Sequence, residues 1–265
     1  MLKLGWFSTG RGQGSRNLLN TVHEAIQEGD LEARIPFVFS NRELGEAEGS
    51  DVFFQLVKSY GIPLINYSSK DFKTRWQDSP QEWRIHYDRE VMKRIDPFNP
   101  DLCVLAGYML IVGPEMCHKY SMINLHPAPP GGPTGTWQEV IWHLIEKGAS
   151  KSGAMMHLVT EELDKGPPVA YCTFSIRGHP FDEHWGAIER RSVEELKSQE
   201  GEEFPLFKLI RQHGAARELP LVMEALKAFA QGRVKVVNGA VVDFEGKPIK
   251  GYDLTEEINR KIKAL

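Results

Sequence analysis

Three cysteines are all the thiol chemistry this 265-residue chain offers, and Cys103, Cys117 and Cys172 lie too far apart for a Cys-x-x-Cys pair. Neither a disulfide framework nor a zinc knuckle is indicated. Cys103 sits inside an apolar run and reads as a small core residue. Long apolar stretches are missing too. Nothing approaches the roughly 18 consecutive apolar residues of a membrane-spanning helix, and Met1–Phe7 is too short for a signal peptide. The expected location is the cytoplasm. Charge of one sign is not in excess either: 32 basic residues face 36 acidic ones, for a net charge of −4. That balance argues against binding nucleic acid through phosphate neutralisation, while leaving room for one local cationic pocket. Internal repeats and low-complexity tracts are absent.

Two further absences narrow the ligand. The turn Ser8-Thr9-Gly10-Arg11-Gly12-Gln13-Gly14-Ser15-Arg16-Asn17 is glycine-rich, yet no glycine follows Gly14 at the spacing of a dinucleotide fingerprint. The acidic residue such enzymes carry after the second strand is replaced by Asn41, and no Gly-Lys-Ser/Thr makes a P-loop. What remains is a turn between a strand and a helix. Its glycines let backbone N–H groups approach an anion, and the helix start adds partial positive charge. A tight turn with no ligand is the plainer alternative. Arg11 and Arg16 favour a monophosphate, because guanidinium pairs well with phosphate.

Around this turn, apolar strand-like runs alternate with helical ones. Strands are expected at 2–7, 33–39, 62–65, 102–106 and 121–125, and helical runs at 17–27, 51–60, 81–95 and 136–147. That alternation gives βαβ units and a parallel twisted sheet. From 155 onward the pattern changes. Runs at 155–160 and 169–176 are separated by too few residues for a crossover helix, so an antiparallel edge is expected. Further on, 192–212 reads as charged and mostly helical, 219–231 as a second helix, 234–242 as a strand and 254–262 as a terminal helix. The fold class is therefore α/β: a mostly parallel twisted sheet with an antiparallel edge and helices on both faces. Residues 1–180 are read as the catalytic domain, and 181–265 as an extension of helices and a strand packing on it. The charge run 182–203 reads as a solvated helical face.

Two short segments carry chemistry. Ile123-Asn124-Leu125-His126-Pro127 and Thr160-Glu161-Glu162-Leu163-Asp164-Lys165-Gly166 end apolar runs with an amide, an imidazole and a carboxylate. Ligands of open parallel sheets sit outside the carboxyl ends of the strands. Acyl transfer to an amine needs a donor for a developing oxyanion, a proton carrier at neutral pH and a charge to orient it. Singly, each residue has a plainer role as a loop or turn hydrogen-bonder. Jointly they point to catalysis by Asn124, His126 and Asp164, with no metal ligand set and no nucleophile paired with a base.

At these residues the chain resembles the formyltetrahydrofolate-dependent formyltransferase superfamily, and most of all its branch acting on glycinamide ribonucleotide in purine synthesis. The likeness runs from about Leu2 to Ile176. Asn124-Leu125-His126-Pro127 is similar to the family's Asn-x-His-Pro, and Leu163-Asp164-Lys165-Gly166 to its Leu-Asp-x-Gly. Pro100–Met109 is similar to its Pro-Asp-hydrophobic-Ala-Gly-Phe/Tyr-Met strand, and Ser40-Asn41-Arg42 and Asp88-Arg89 stand where relatives carry similar residues.

The resemblance implies a Rossmann-like formyltransferase fold and 10-formyltetrahydrofolate as co-substrate, with no metal. It implies that the folate's pteridine lies against Met109, Leu110, Ile111 and Val112 and around Leu163 and Asp164. It also implies that Gly12, Gln13, Gly14, Ser15, Arg16 and Asn17 hold the acceptor's phosphate. Small-molecule substrates are the expected partners, with neither nucleic acid nor membrane; oligomeric state is not legible. Departures from the pattern lie on the acceptor side. The turn is about two residues longer, Arg16 interrupts the usual Gly-Ser-Asn, Leu110 replaces a frequent arginine, and Ala128–Pro133 replaces Ser-Leu-Leu-Pro. An acceptor-side acid could be Glu200. An amino-sugar nucleotide as acceptor, or water in a formyltetrahydrofolate hydrolase, are the alternative readings.

Overall fold

Strand β1 (Leu2–Phe7) begins half-buried and ends fully buried, and everything that positions the site is arranged around its carboxyl end. The computed structural model describes residues 1–75, 79–188 and 191–263. After β1 the order is α1 (Gln13–Gln27), β2 (Ala33–Ser40), α2 (Glu48–Ser59), β3 (Leu64–Asn66), α3 (Ser69–Arg75) and α4 (Pro80–Ile95). Then come β4 (Leu102–Leu105), α5 (Pro114–Lys119), β5 (Met122–His126), α6 (Trp137–Glu146), β6 (Lys151–Leu158) and β7 (Pro168–Ser175). The chain ends with α7 (Asp182–Trp185), α8 (Val193–Gln199), α9 (Pro205–Ala230), β8 (Val234–Val237), β9 (Ala240–Asp243), β10 (Tyr252–Asp253) and α10 (Thr255–Lys263). Among the described residues, no helix is long and apolar enough to cross a membrane.

The chain forms two compact units. The first comprises Met1–Asn124, Leu158–Gly166 and Leu226–Ile249. In it β1 pairs in parallel with β2 and with β4, β2 with β3, and β4 with β5. The order is therefore β5-β4-β1-β2-β3, all strands pointing the same way. Chain order reverses between β1 and β4, and such a switch point opens a crevice at the carboxyl ends of the two strands. One side of this sheet buries Phe7, Phe37, Phe39, Cys103, Tyr108 and Met122. Phe7 meets Phe37 edge-on at 5.9 Å and Tyr108 at 5.7 Å. Gly5 is required here, because a Cβ would stand 2.7 Å from the Phe37 ring and 3.0 Å from the Cys103 sulfur.

The second unit comprises Leu125–His157, Pro167–Ala225 and Lys250–Leu265. Its β6 and β7 are antiparallel, as the short connection demanded, and β10 adds to β7 in parallel. Helix α6 starts from a Thr136–Glu139 capping box, in which side chain and backbone satisfy each other's polar groups. It buries Val140, Ile141, Trp142, Leu144 and Ile145 in a core shared with Phe204, Phe207 and Ile210.

Several expectations need correction. The first helix begins at Gln13 rather than Asn17, so the second half of the glycine-rich segment forms its first turn. The single helical run expected at 192–212 is divided, and its second half continues through Pro220 to Ala230 as one 26-residue helix. Burial of Leu221, Val222, Ala225 and Leu226 outweighs the backbone hydrogen bond that proline forfeits. The strand expected at 234–242 is a hairpin of β8 and β9. Asn238 and Gly239, both at positive φ, make the tight turn that two-residue hairpins favour. Helices α3 and α5 and strand β10 were not foreseen.

Candidate active site

The turn after β1 is held from below and open above. Ser8 and Thr9 are fully buried; the Ser8 hydroxyl accepts the Gly10 N–H at 3.1 Å, and the Ser50 hydroxyl donates to the Thr9 carbonyl at 2.8 Å. Gly10 has φ +70° and a Cβ there would lie 2.9 Å from Phe53, so only glycine serves. The start of α2 presses on the same turn: a Cβ on Gly49 would come 2.3 Å from the Arg11 carbonyl oxygen.

Helix α1 starts from Gly12, which supplies no side-chain cap, and its first turn holds no acid. Space beside Gly12 and Gly14 is open for at least 4 Å around an added Cβ. An α-helix leaves its first N–H groups without intrahelical partners, and together with the helix dipole they attract an anion. Around them, the Gln13 amide donates to Asn17 at 2.6 Å, and Arg16 donates to the Gln13 oxygen at 3.0 Å and the Gly49 carbonyl at 3.5 Å. The Arg16 guanidinium is thus anchored beside the turn, and Arg11 is exposed.

Beside the turn runs the segment after β4. The Thr9 N–H donates to the Gly107 carbonyl at 3.1 Å. The Met109 N–H donates to the Thr9 hydroxyl at 2.9 Å, which donates in turn to the Asn41 oxygen at 2.8 Å. Asn41 passes the link to Ser69 at 3.1 Å. Gly107 has φ +72°, with the Ser15 hydroxyl 2.6 Å from where a Cβ would sit. Turn and segment therefore meet at the switch point with no room for a larger side chain.

Side chains of the segment alternate. Met109 is 58% exposed and Ile111 38% exposed, whereas Val112 is buried and Leu110 packs against the aromatic core. Of the four residues expected to meet a pteridine, only Met109 and Ile111 offer exposed apolar side chains. At the far end the Gly113 N–H donates to the Asp88 carboxylate at 2.6 Å. Burial pushes that carboxyl up to about 7; the Gly113 N–H and Arg84 oppose the rise, and Glu115 adds to it.

Asn124 stands on β5 opposite Leu105 of β4 and is half-buried. The Val159 N–H donates to the Met122 carbonyl at 2.8 Å, which ties the start of the second motif to β5. That motif folds back on itself: a Cβ on Gly166 would lie 1.6 Å from the Leu158 carbonyl oxygen. No other residue tolerates that approach, which gives the glycine of Leu-Asp-x-Gly its physical reason. The Thr160 hydroxyl and the Lys165 N–H both donate to the Glu162 carbonyl, at 3.2 and 3.3 Å. Within this loop Asp164 adopts φ +57°, a left-handed conformation that aspartate tolerates, and Leu163 is 51% exposed. Asn124 and Asp164 thus belong to the unit that carries the glycine turn and the 107–113 segment.

His126, two residues beyond Asn124 on β5, shares its side of the strand by alternation. It belongs to the second unit and is 2% exposed. Its Nε2 lies 2.8 Å from the Pro133 carbonyl oxygen. A neutral ring donating there carries its lone pair on Nδ1, and a protonated ring donates from both nitrogens. Pro133 belongs to the segment whose sequence departs from the family pattern, so that segment holds the imidazole itself. His157 meets the ring edge-on at 6.1 Å. Glu200, the acid considered for the acceptor, is ion-paired with Arg191. Spacing gave no signal for Thr9 as a support of the site, and Asp88 stood out only through the resemblance, since both act through a backbone N–H.

A family model described as formyl transferase matches residues 11–194. The phosphoribosylglycinamide formyltransferase of Escherichia coli K12 is 26% identical, over 92% of this chain and 96% of its own length. That of Schizosaccharomyces pombe is 32% identical over 59% of this chain and 76% of its own. Among solved structures, the phosphoribosylglycinamide formyltransferase of Coxiella burnetii superposes with a TM-score of 0.68 at 25% identity, covering 95% of this chain and 98% of that one. Its fold class is the one expected from the sequence: a mostly parallel sheet with an antiparallel edge. With the family model covering well over half of the residues, the chain belongs to the formyl transferase family.

Proposed function

We propose that this enzyme transfers the formyl group of 10-formyltetrahydrofolate to the amine of a phosphorylated small molecule, glycinamide ribonucleotide, in purine biosynthesis. One observation carries the reading. An uncapped helix start with open glycines lies hydrogen-bonded, through Thr9, to a segment presenting backbone and two exposed apolar side chains. An anion site and an exposed apolar site side by side suit a phosphorylated acceptor and a pterin donor.

In this reading Gly12–Asn17 hold the phosphate, with backbone N–H groups, Ser15 and the Arg16 guanidinium as donors. Met109–Val112 and Leu163 receive the pteridine. As the acceptor amine attacks the formyl carbon, negative charge grows on the formyl oxygen. The Asn124 amide and a protonated His126 stabilise that charge by donating hydrogen bonds. His126 delivers a proton to the departing folate nitrogen. Asp164 accepts the proton that the attacking amine loses, directly or through water, and supports the imidazolium. The Pro133 carbonyl fixes the plane of the imidazole by accepting from Nε2. Residues 1–180 act as the catalytic domain and 181–265 as its extension.

The phosphate assignment has a direct check. Glycinamide ribonucleotide is compared with its dephosphorylated nucleoside as acceptor. The expected result is a KM at least a hundredfold higher for the nucleoside, with the difference shrinking at high salt. Equal KM values would remove the phosphate from the proposal and favour a different amine acceptor.

A further inference from the structure

A buried carboxylate with a costly charge needs an explanation, and Asp88 has one in its single short contact. It lies on α4, 4% exposed, and accepts the Gly113 N–H at 2.6 Å. Gly113 is the residue from which α5 departs, so this bond closes the 107–113 segment at its far end. The near end is closed by the Thr9 hydroxyl on the Met109 N–H. Between the two anchors run the exposed Met109 and Ile111. The far anchor is closely packed: a Cβ on Gly113 would stand 2.9 Å from the Asp88 oxygen.

We infer that Asp88 is a positioning residue for the donor subsite, holding the 107–113 segment in the shape that receives the pteridine. The inference rests on the assignment of that segment to folate made above. Asp88 touches no substrate; it acts through the backbone N–H of Gly113. The charged form is the better acceptor, because a hydrogen bond to an ionised oxygen is roughly twice as strong as a neutral one.

The groups facing Asp88 set when it is charged. On its own helix these are Arg84, which favours the charge, and Tyr87; from α5 come Glu115, which opposes it, and Cys117; from the segment itself comes Tyr108. Burial dominates and moves the carboxyl from 3.8 up to about 7. A raised carboxyl favours the folded state below its ordinary value and loses that advantage as pH rises through 7. Above neutrality the fold therefore carries an ionised Asp88 at a cost in stability.

The test is calorimetric titration of the wild-type protein and of Asp88→Asn and Asp88→Ala with 5-formyltetrahydrofolate, a stable isomer of the donor, at pH 6 and pH 8. Denaturant unfolding of each protein runs alongside. The wild type is expected to bind about tenfold more tightly at pH 8 than at pH 6. Asp88→Asn is expected to bind at the weaker level at both pH values and to unfold at higher denaturant than wild type at pH 8. Asp88→Ala is expected to bind more weakly still, with acceptor KM unchanged. Ionisations elsewhere are common to wild type and Asp88→Asn and cancel in the comparison. If the wild type binds and Asp88→Asn matches it in affinity and pH dependence, the positioning role is overturned. If the wild type does not bind folate at all, the donor assignment fails first, and the inference with it.

Discussion

Replacing Asn124 with alanine removes one hydrogen-bond donor from a site where negative charge must grow. The amide sits half-buried on β5, opposite Leu105 of β4. Loss of one oxyanion donor costs about 3 kcal/mol, or roughly a hundredfold in kcat. Because the charge exists only in the transition state, KM for both substrates should hold nearly constant. Steady-state kinetics of Asn124→Ala separates the two parameters, and an unchanged kcat removes Asn124 from the chemistry. His126 differs in kind. Its ring already meets the Pro133 carbonyl in this structure, so its role depends on the 128–133 segment.

At the scale of elements, the loop from Leu158 to Gly166 shows how a motif residue can be essential without touching substrate. The carbonyl of Leu158 occupies the space a Gly166 side chain would need. Gly166→Ala must open the loop and shift Asp164, which sits at positive φ two residues earlier. The expected outcome is a loss of kcat of a hundredfold or more together with a lower unfolding midpoint, since Gly166 is buried and the clash is with backbone. A variant with normal turnover would show that Asp164 needs no such placement. The same contrast explains what the sequence made legible. Alternating apolar runs gave the parallel strands and the antiparallel pair, because burial imposes a period that composition displays. The runs 192–212 and 219–231 read as two helices, yet α9 joins the end of the first to the second through Pro220, where continuous burial overrides propensity. Asn238-Gly239 went unread as a hairpin signal, although both residues take the positive φ such a turn requires. Among the candidate site residues, Asn124, His126 and Asp164 were proposed from their motifs. Thr9 carried no such signal and Asp88 only the resemblance, because a side chain that supports a loop through one backbone N–H leaves no spacing to read.

For the whole molecule, the order of five parallel strands matters more than any single residue. Reversal of strand order between β1 and β4 sets the glycine turn against the 107–113 segment, and Thr9 bonds to both Gly107 and Met109 there. A binding site at that edge follows from topology alone, and the site residues specify its occupants. The measurement that bears most directly on this account is formyl transfer from 10-formyltetrahydrofolate to glycinamide ribonucleotide, followed by release of the deformylated folate, with a parallel reaction lacking acceptor. Turnover that requires the acceptor, and yields the formylated ribonucleotide in equal amount, is the predicted result. Deformylation at the same rate without acceptor would contradict it and make the protein a hydrolase.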